Sequence, residues 1–249
     1  MSADTPRLRM FAGPNGSGKS TIKSVIRPEL IGTYINPDEL EQQIRERGAV
    51  DLGALGVHAA QEEIDAFFES STLLQRGGLT AAARTIHLRG DSLEFGDVAA
   101  NSYFASVIAD FLRRKLVASG ASVTFETVMS SPDKVDFLRA ARAQGFRTYL
   151  YYVATGDPLV NVSRVKNRVQ LGGHPVAEEK IISRYARSLE LLISAIRASN
   201  RAYIFDNSAS RPIWLAEVTD GRELGMKTSR VRAWFKRHVW DRMGAQNEE

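Results

Sequence analysis

Gly13-Pro-Asn-Gly-Ser-Gly-Lys-Ser20 is the stretch on which the fold turns. It follows the apolar run Leu8–Ala12 and opens a helical pattern over residues 19–27. Glycines at this spacing let a backbone curl round an anion with its N–H groups inward, and the next helix offers its positive end. GxxxxGK[ST] between a strand and a helix is the pattern of a phosphate-binding P-loop. Gly13, Asn15, Gly16, Ser17, Gly18, Lys19, Ser20 and Thr21 are therefore the expected nucleotide-binding residues. In such a loop the lysine neutralises the β- and γ-phosphates of ATP and the serine hydroxyl ligates Mg2+, which are the roles expected of Lys19 and Ser20.

Outward from the loop, short β-branched and aromatic runs alternate with longer helical patterns, the mark of βαβ units and a parallel sheet. Strands are expected at Leu8–Ala12, Thr33–Asn36, Ser122–Glu126, Thr148–Ala154 and Ala202–Phe205. Most are apolar at consecutive positions, as strands covered on both faces are. Helical patterns lie over residues 134–144 and 178–198. In the second, Ile181, Tyr185, Leu189, Leu192 and Ile196 make one apolar stripe. These readings predict an α/β fold over residues 1–249 as a single domain, with a five-stranded parallel sheet and helices on both faces. Residues 45–120 break the rhythm and read as a helical insertion, with a break at Gly77-Gly78, an irregular Gly90–Gly96 segment and a helix over 101–117.

The composition of the 249 residues, 43% hydrophobic and 25% charged, is that of a globular protein. With no cysteine, a disulfide scaffold, a thiolate metal site and a cysteine nucleophile are excluded. The four scattered histidines, His58, His87, His174 and His238, argue against a histidine metal cluster. The net charge of +4 arises at one end: residues 222–242 carry seven Lys/Arg against two acidic residues. A basic body coated for nucleic acid is therefore not indicated. No apolar run is long enough to span a membrane, and the N-terminal residues do not form a signal peptide, so a cytoplasmic location is expected.

Further residues stand where parallel strands end, the place where ligands bind in open α/β sheets. Asp38, in Ile35-Asn-Pro-Asp-Glu39, has the position of a base that accepts a proton from an acceptor hydroxyl, or equally of a helix N-cap. Glu126 and Thr127 close the third strand, where a carboxylate binds a substrate hydroxyl, holds a metal-bound water or makes a loop ion pair. Phe205-Asp-Asn-Ser208 closes the fifth and reads first as turn chemistry and second as polar residues that approach the nucleotide base. Arg164 and Arg168 share one helix face. Beyond Gly172-Gly173, Lys180, Arg184 and Arg187 line a second. Two basic faces around a glycine hinge, over residues 161–187, suit a lid that closes on phosphates.

The motifs GPNGSGKST (13–21), INPDEL (35–40), FETVMS (125–130), RVKNRVQLGGHPVAEEKIISRY (164–185) and YIFDNS (203–208), in this order, resemble the zeta-toxin family of P-loop kinases from bacterial toxin–antitoxin systems. The resemblance is to chromosomal members more than to plasmid toxins, and it covers most of residues 8–208 apart from the insertion. It implies an adenylate-kinase-like core and transfer of the ATP γ-phosphoryl to the 3′-hydroxyl of UDP-N-acetylglucosamine. On this resemblance Asp38 is the base, Glu126 and Thr127 lie at the sugar site, and Arg168 and Arg184 clamp phosphate, with Arg164 as competitor. Any antitoxin would be a separate chain.

Residues 229–243 form an amphipathic basic pattern, with Val231, Trp234, Phe235, Val239 and Met243 on one face. Packing of the aromatic stripe on the domain is the favoured reading; binding to anionic lipid or nucleic acid is the other. Three function classes follow: a kinase of a nucleotide-sugar or similar hydroxyl, a nucleic-acid end kinase, and an ATP-driven switch with no acceptor.

Overall fold

The computed structural model describes residues 5–24, 26–173 and 175–244. His174, at the expected lid hinge, and the first residues of the expected leaderless N-terminus lie outside them. The strands are β1 (Arg7–Ala12), β2 (Thr33–Ile35), β3 (Ala49–Asp51), β4 (His87–Arg89), β5 (Ser92–Glu94), β6 (Val123–Thr127), β7 (Arg147–Ala154), β8 (Arg201–Asp206), β9 (Ile213–Thr219) and β10 (Glu223–Met226). The helices are α1 (Lys19–Lys23), α2 (Pro37–Arg47), α3 (Gln61–Glu69), α4 (Thr72–Arg76), α5 (Thr80–Ala83), α6 (Ser102–Ala118), α7 (Asp133–Ala143), α8 (Pro158–Gln170) and α9 (Glu178–Arg197). A C-terminal helix follows, made of Ala233–Phe235, a π-helical stretch Lys236–Trp240, and Asp241–Gly244. By contact the chain clusters into two compact units, Met1–Ile31 with Glu126–Glu249, and Gly32–Phe125.

In the first unit the strand order is β10-β9-β8-β7-β1. β1 and β8 flank β7 in parallel, while β9 and β10 run antiparallel. Residues of alternate parity point to opposite faces of a strand, and both faces are used here. Phe11, Tyr151 and Val153 pack with Ile22 of α1. Tyr152, of the other parity, is fully buried and shares a hydrogen bond of 3.0 Å with Ser188 of α9. Burial raises the Tyr152 phenol well above the ordinary tyrosine value, so it stays a neutral hydrogen-bonding group. The stripe predicted on α9 is buried at Ile181, Tyr185, Leu189, Leu192 and Ile196.

The five predicted strands are all present, but the main sheet has seven. The two extra strands form a hairpin across Asp220-Gly221, both with positive φ (49° and 71°). That is the Asp-Gly turn signal between strand-like runs.

In the second unit β2 pairs in parallel with β6, and α6 packs against α2, α3 and α4. Asn101 caps α6, its Oδ1 accepting from the N–H groups of Tyr103 and Phe104, each at 3.0 Å. Below that cap Phe104 meets Phe95 edge-on at 5.7 Å and is fully buried. The insertion is not wholly helical: β3-β5-β4 form a small antiparallel sheet, with β5 inside the expected irregular Gly90–Gly96 segment and β3 and β4 in the part expected to be helical. Each of these strands has three residues, with the apolar anchors Val50, Leu93 and Leu88 alone at their centres. Alternation that short leaves no periodic signal. Among the described residues no helix is long and apolar enough to cross a membrane.

Candidate active site

The loop between β1 and α1 is held in place from two sides. Asn161 on α8, fully buried, donates from Nδ2 to the Asn15 carbonyl at 2.6 Å and accepts from the Thr155 hydroxyl. Asn207, just past β8, donates from Nδ2 to the Ser17 carbonyl at 2.8 Å, and its own N–H reaches Ala154 O at 2.8 Å. Two glycines are required by these contacts. A Cβ at Gly16 would lie 2.6 Å from Asn161 O, and one at Gly18, whose φ is +94°, would lie 2.1 Å from Asn207 Nδ2. The glycines therefore serve loop curvature and the close approach of two clamping asparagines together.

Within this frame, Lys19 Nζ lies over the loop, 2.9 Å from Gly13 O and 3.3 Å from Pro14 O. The Ser20 hydroxyl donates to Glu126 Oε1 at 3.3 Å, which brings the first turn of α1 to the end of β6. Glu126 is buried, and Thr127 Oγ1 accepts from Met129 N–H at 3.0 Å. Met129 has a φ of 52°, a left-handed conformation that costs energy for a side chain other than glycine. Strain of this kind clusters at functional sites. Among the described residues no group of three or more His, Asp or Glu could hold a metal ion. A serine hydroxyl beside one carboxylate is instead the hard-oxygen donor set that suits Mg2+ when phosphates complete the shell. Asn15 Oδ1 and Ser17 Oγ are buried with no hydrogen-bond partner, polar atoms that a phosphate group at the loop would meet.

The other expected residues fall as follows. Asp38 is exposed at the second position of α2, in the second unit. The N-cap there is Asn36, whose Oδ1 accepts from Asp38 N–H at 3.0 Å, so capping is not the task of the Asp38 carboxylate. Arg164 donates to Asn207 O at 2.7 Å and to Ala209 O at 3.2 Å. Its guanidinium ties α8 to the segment after β8. Arg168 is exposed near the end of α8, and Arg184 is half-buried on α9. The apolar face of α8, Val162 and Val165, packs against Ile181, whereas Val169 is exposed. Lys166 and Glu178 bridge the two helices at 2.8 Å.

Three residues carry more of the site than their patterns announced. Asn161 is the one polar side chain among the buried positions of α8, and a buried amide of this kind calls for a polar partner. Asn207 does more than turn chemistry, although a turn is present: Ser208 N–H reaches Asp206 Oδ1 at 3.2 Å. Trp234 is buried and donates from Nε1 to Asp206 Oδ2 at 2.7 Å. The C-terminal helix thus buries its aromatic face, Trp234, Phe235 and Val239, while Val231 and Trp240 remain exposed.

Comparison with known proteins bears on the fold. The zeta toxin family model matches residues 96–216, just under half of the chain. That span includes Glu126, Thr127, Arg164, Arg168 and Arg184, and leaves out the P-loop and Asp38. Across its whole length the chain superposes on 86% of a chain from the PezAT chromosomal toxin–antitoxin system of Streptococcus pneumoniae, with a TM-score of 0.50 and 14% identity. At that identity the likeness bears on the fold. A chain of the AvrRxo1-ORF1:ORF2 complex with ATP matches 90% of this chain with a TM-score of 0.46 and 14% identity. An uncharacterized protein of Haemophilus influenzae is 32% identical over 60 residues, 24% of this chain. The chain spans 43% of that relative's length and 61% of the AvrRxo1 chain.

Proposed function

We propose that residues 1–249 act as one ATP-dependent phosphotransferase on a hydroxyl group, a P-loop kinase of the zeta-toxin type, a reading supported by the family model's match over residues 96–216. The observation that carries this reading is the Ser20–Glu126 contact at the mouth of a loop clamped by two asparagines. A buried carboxylate beside the P-loop serine suits a metal–nucleotide site, and this favours Glu126 on the metal side over a sugar-binding role. Magnesium, when bound, would offset the charge that develops on the phosphates. Ser20 and Glu126 would hold it.

The chain's own groups supply the rest. Lys19 leaves its loop carbonyls to meet the β- and γ-phosphates. Asp38 takes the proton from the acceptor hydroxyl as its oxygen bonds to the γ-phosphorus, and the bond to the β–γ bridging oxygen breaks to release ADP. Arg168 and Arg184 supply positive charge to the transferred group from the lid. Arg164, bound to two carbonyls, positions the segment after β8. The proposed acceptor is a nucleotide-sugar of the UDP-N-acetylglucosamine type, which rests on the resemblance of the motifs, as does a separate antitoxin chain as partner.

The test is purified protein with ATP and Mg2+ against a panel of UDP-sugars and 5′-hydroxyl oligonucleotides, with products followed by mass spectrometry. The expected outcome is a phosphorylated UDP-sugar that is absent with Asp38→Asn, although that variant still binds ATP. Arg168→Ala and Arg184→Ala are expected to lower kcat by about 100-fold or more each. A phosphorylated oligonucleotide would overturn the acceptor assignment. Undiminished turnover in Asp38→Asn would overturn the base.

A further inference from the structure

The C-terminal helix lies beyond the family match, yet one of its side chains reaches the segment that clamps the P-loop. Trp234 Nε1 donates to Asp206 Oδ2 at 2.7 Å. Asp206 is 1% exposed, so its carboxylate depends on its protein partners. Ser208 Oγ donates to the same oxygen at 2.8 Å, and Ser208 N–H reaches Oδ1 at 3.2 Å. Arg232 Nε stands 3.3 Å from Oδ1 as an ion pair. The Ser208 hydroxyl in turn accepts from Gly156 N–H at 2.8 Å. This cluster fixes the backbone on both sides of Asn207, whose side chain holds Ser17 O and whose carbonyl is held by Arg164. The indole ring is oriented by Tyr152, at 6.5 Å between centroids, and by Phe235, edge-on at 6.0 Å.

We propose that Trp234 is a positioning residue of the phosphate loop, acting through the Asp206 carboxylate and the Asn207 amide. The inference rests on the reading of residues 13–20 as a nucleotide loop and assigns part of its shape to a helix outside the matched domain. The mechanism is geometric. Asn207 Nδ2 stands so close to Gly18 that no Cβ fits between them, so a small rotation of the 206–208 turn displaces the loop backbone. The indole N–H is one of the few groups that hold the buried carboxylate, and hydrogen bonds to charged groups are among the stronger ones. Trp234 touches no phosphate itself. Its effect passes through two side chains, and a defect there should appear as looser nucleotide binding.

Trp234→Phe keeps an aromatic ring between Tyr152 and Phe235 and removes only the N–H. A fluorescent ATP analogue is titrated with Mg2+ into the full-length wild type, Trp234→Phe, Asn207→Ala and the double variant, each checked by thermal unfolding. The expected result is an affinity about three- to tenfold weaker in Trp234→Phe, the scale of one lost hydrogen bond. In the Asn207→Ala background the same change is expected to have almost no further effect, because its route to the loop is gone. A general loss of stability does not reproduce that coupling. If Trp234→Phe folds poorly, Asp206→Asn takes its place in the cycle. Wild-type affinity in Trp234→Phe, or effects that simply add, overturns the relay. Absence of binding by the wild type would instead overturn the nucleotide-loop reading on which it rests.

Discussion

Gly18 shows how much of the site depends on one missing side chain. Its φ of +94° is unfavourable for any other residue, and the space a methyl group would take is already filled by Asn207 Nδ2. Gly18→Ala therefore faces two costs. The chain can move Asn207 off Ser17 O or move the loop, and either changes where the N–H groups point. We expect Gly18→Ala to weaken ATP binding by about tenfold or more, an energy of roughly 1.4 kcal/mol that strain of this type readily supplies. Binding equal to wild type would show that the loop relaxes without consequence. The sequence motif foretold a glycine here for the sake of phosphate. The asparagine that makes it indispensable was invisible, because residues 18 and 207 are distant in sequence and each follows its own local pattern.

The elements were legible where their pattern was long. α9 displays its buried stripe over 20 residues, and the longest parallel strand, β7, carries a consecutive buried run from Leu150 to Ala154. The three-residue strands β3, β4 and β5 are not legible, since side-chain alternation needs more positions than they have. The C-terminal helix was legible in its burial but not in its π-helical stretch, a feature that amphipathic spacing does not encode. That stretch contains His238, whose Nδ1 is buried with no hydrogen-bond partner. Burial holds its imidazole below the ordinary histidine value, aided by Arg242 and Arg237, while Glu190 on α9 pulls the other way. The folded helix thus keeps His238 neutral at a pH where the unfolded chain, at about 6.5, begins to take up the proton. Stability from this source is present above about pH 6.5 and declines as the pH falls through the window below it. Thermal unfolding at pH 7.5 and 5.5 should show a smaller difference for His238→Asn than for the wild type. An equal difference in the two proteins would remove His238 from the account.

At the scale of the whole molecule, the ligand contacts proposed for the phosphates all belong to the unit Met1–Ile31 with Glu126–Glu249, while Asp38 and the insertion belong to Gly32–Phe125. The sequence could place motifs on strand ends but could not divide them this way, because the division follows contacts and not order along the chain. Its outcome is a prediction about where each ligand is felt. Mg2+ and ATP should slow amide hydrogen exchange at residues 13–21, at 155–164 around Asn161, and at 206–209 around Asn207, the segments joined by the clamp. Ligand that binds only the folded form also raises stability by mass action, by about 2.7 kcal/mol at a hundredfold excess over its dissociation constant. A uniform slowing across the chain would therefore report that general effect, so the test is the excess of local protection over it. The small sheet of β3, β4 and β5 should show none of this excess with ATP alone. Addition of the acceptor should extend protection to residues 36–47, where Asp38 begins α2. Excess protection in the small sheet with nucleotide alone would give the insertion a part in ATP binding and would require the phosphate site to be redrawn.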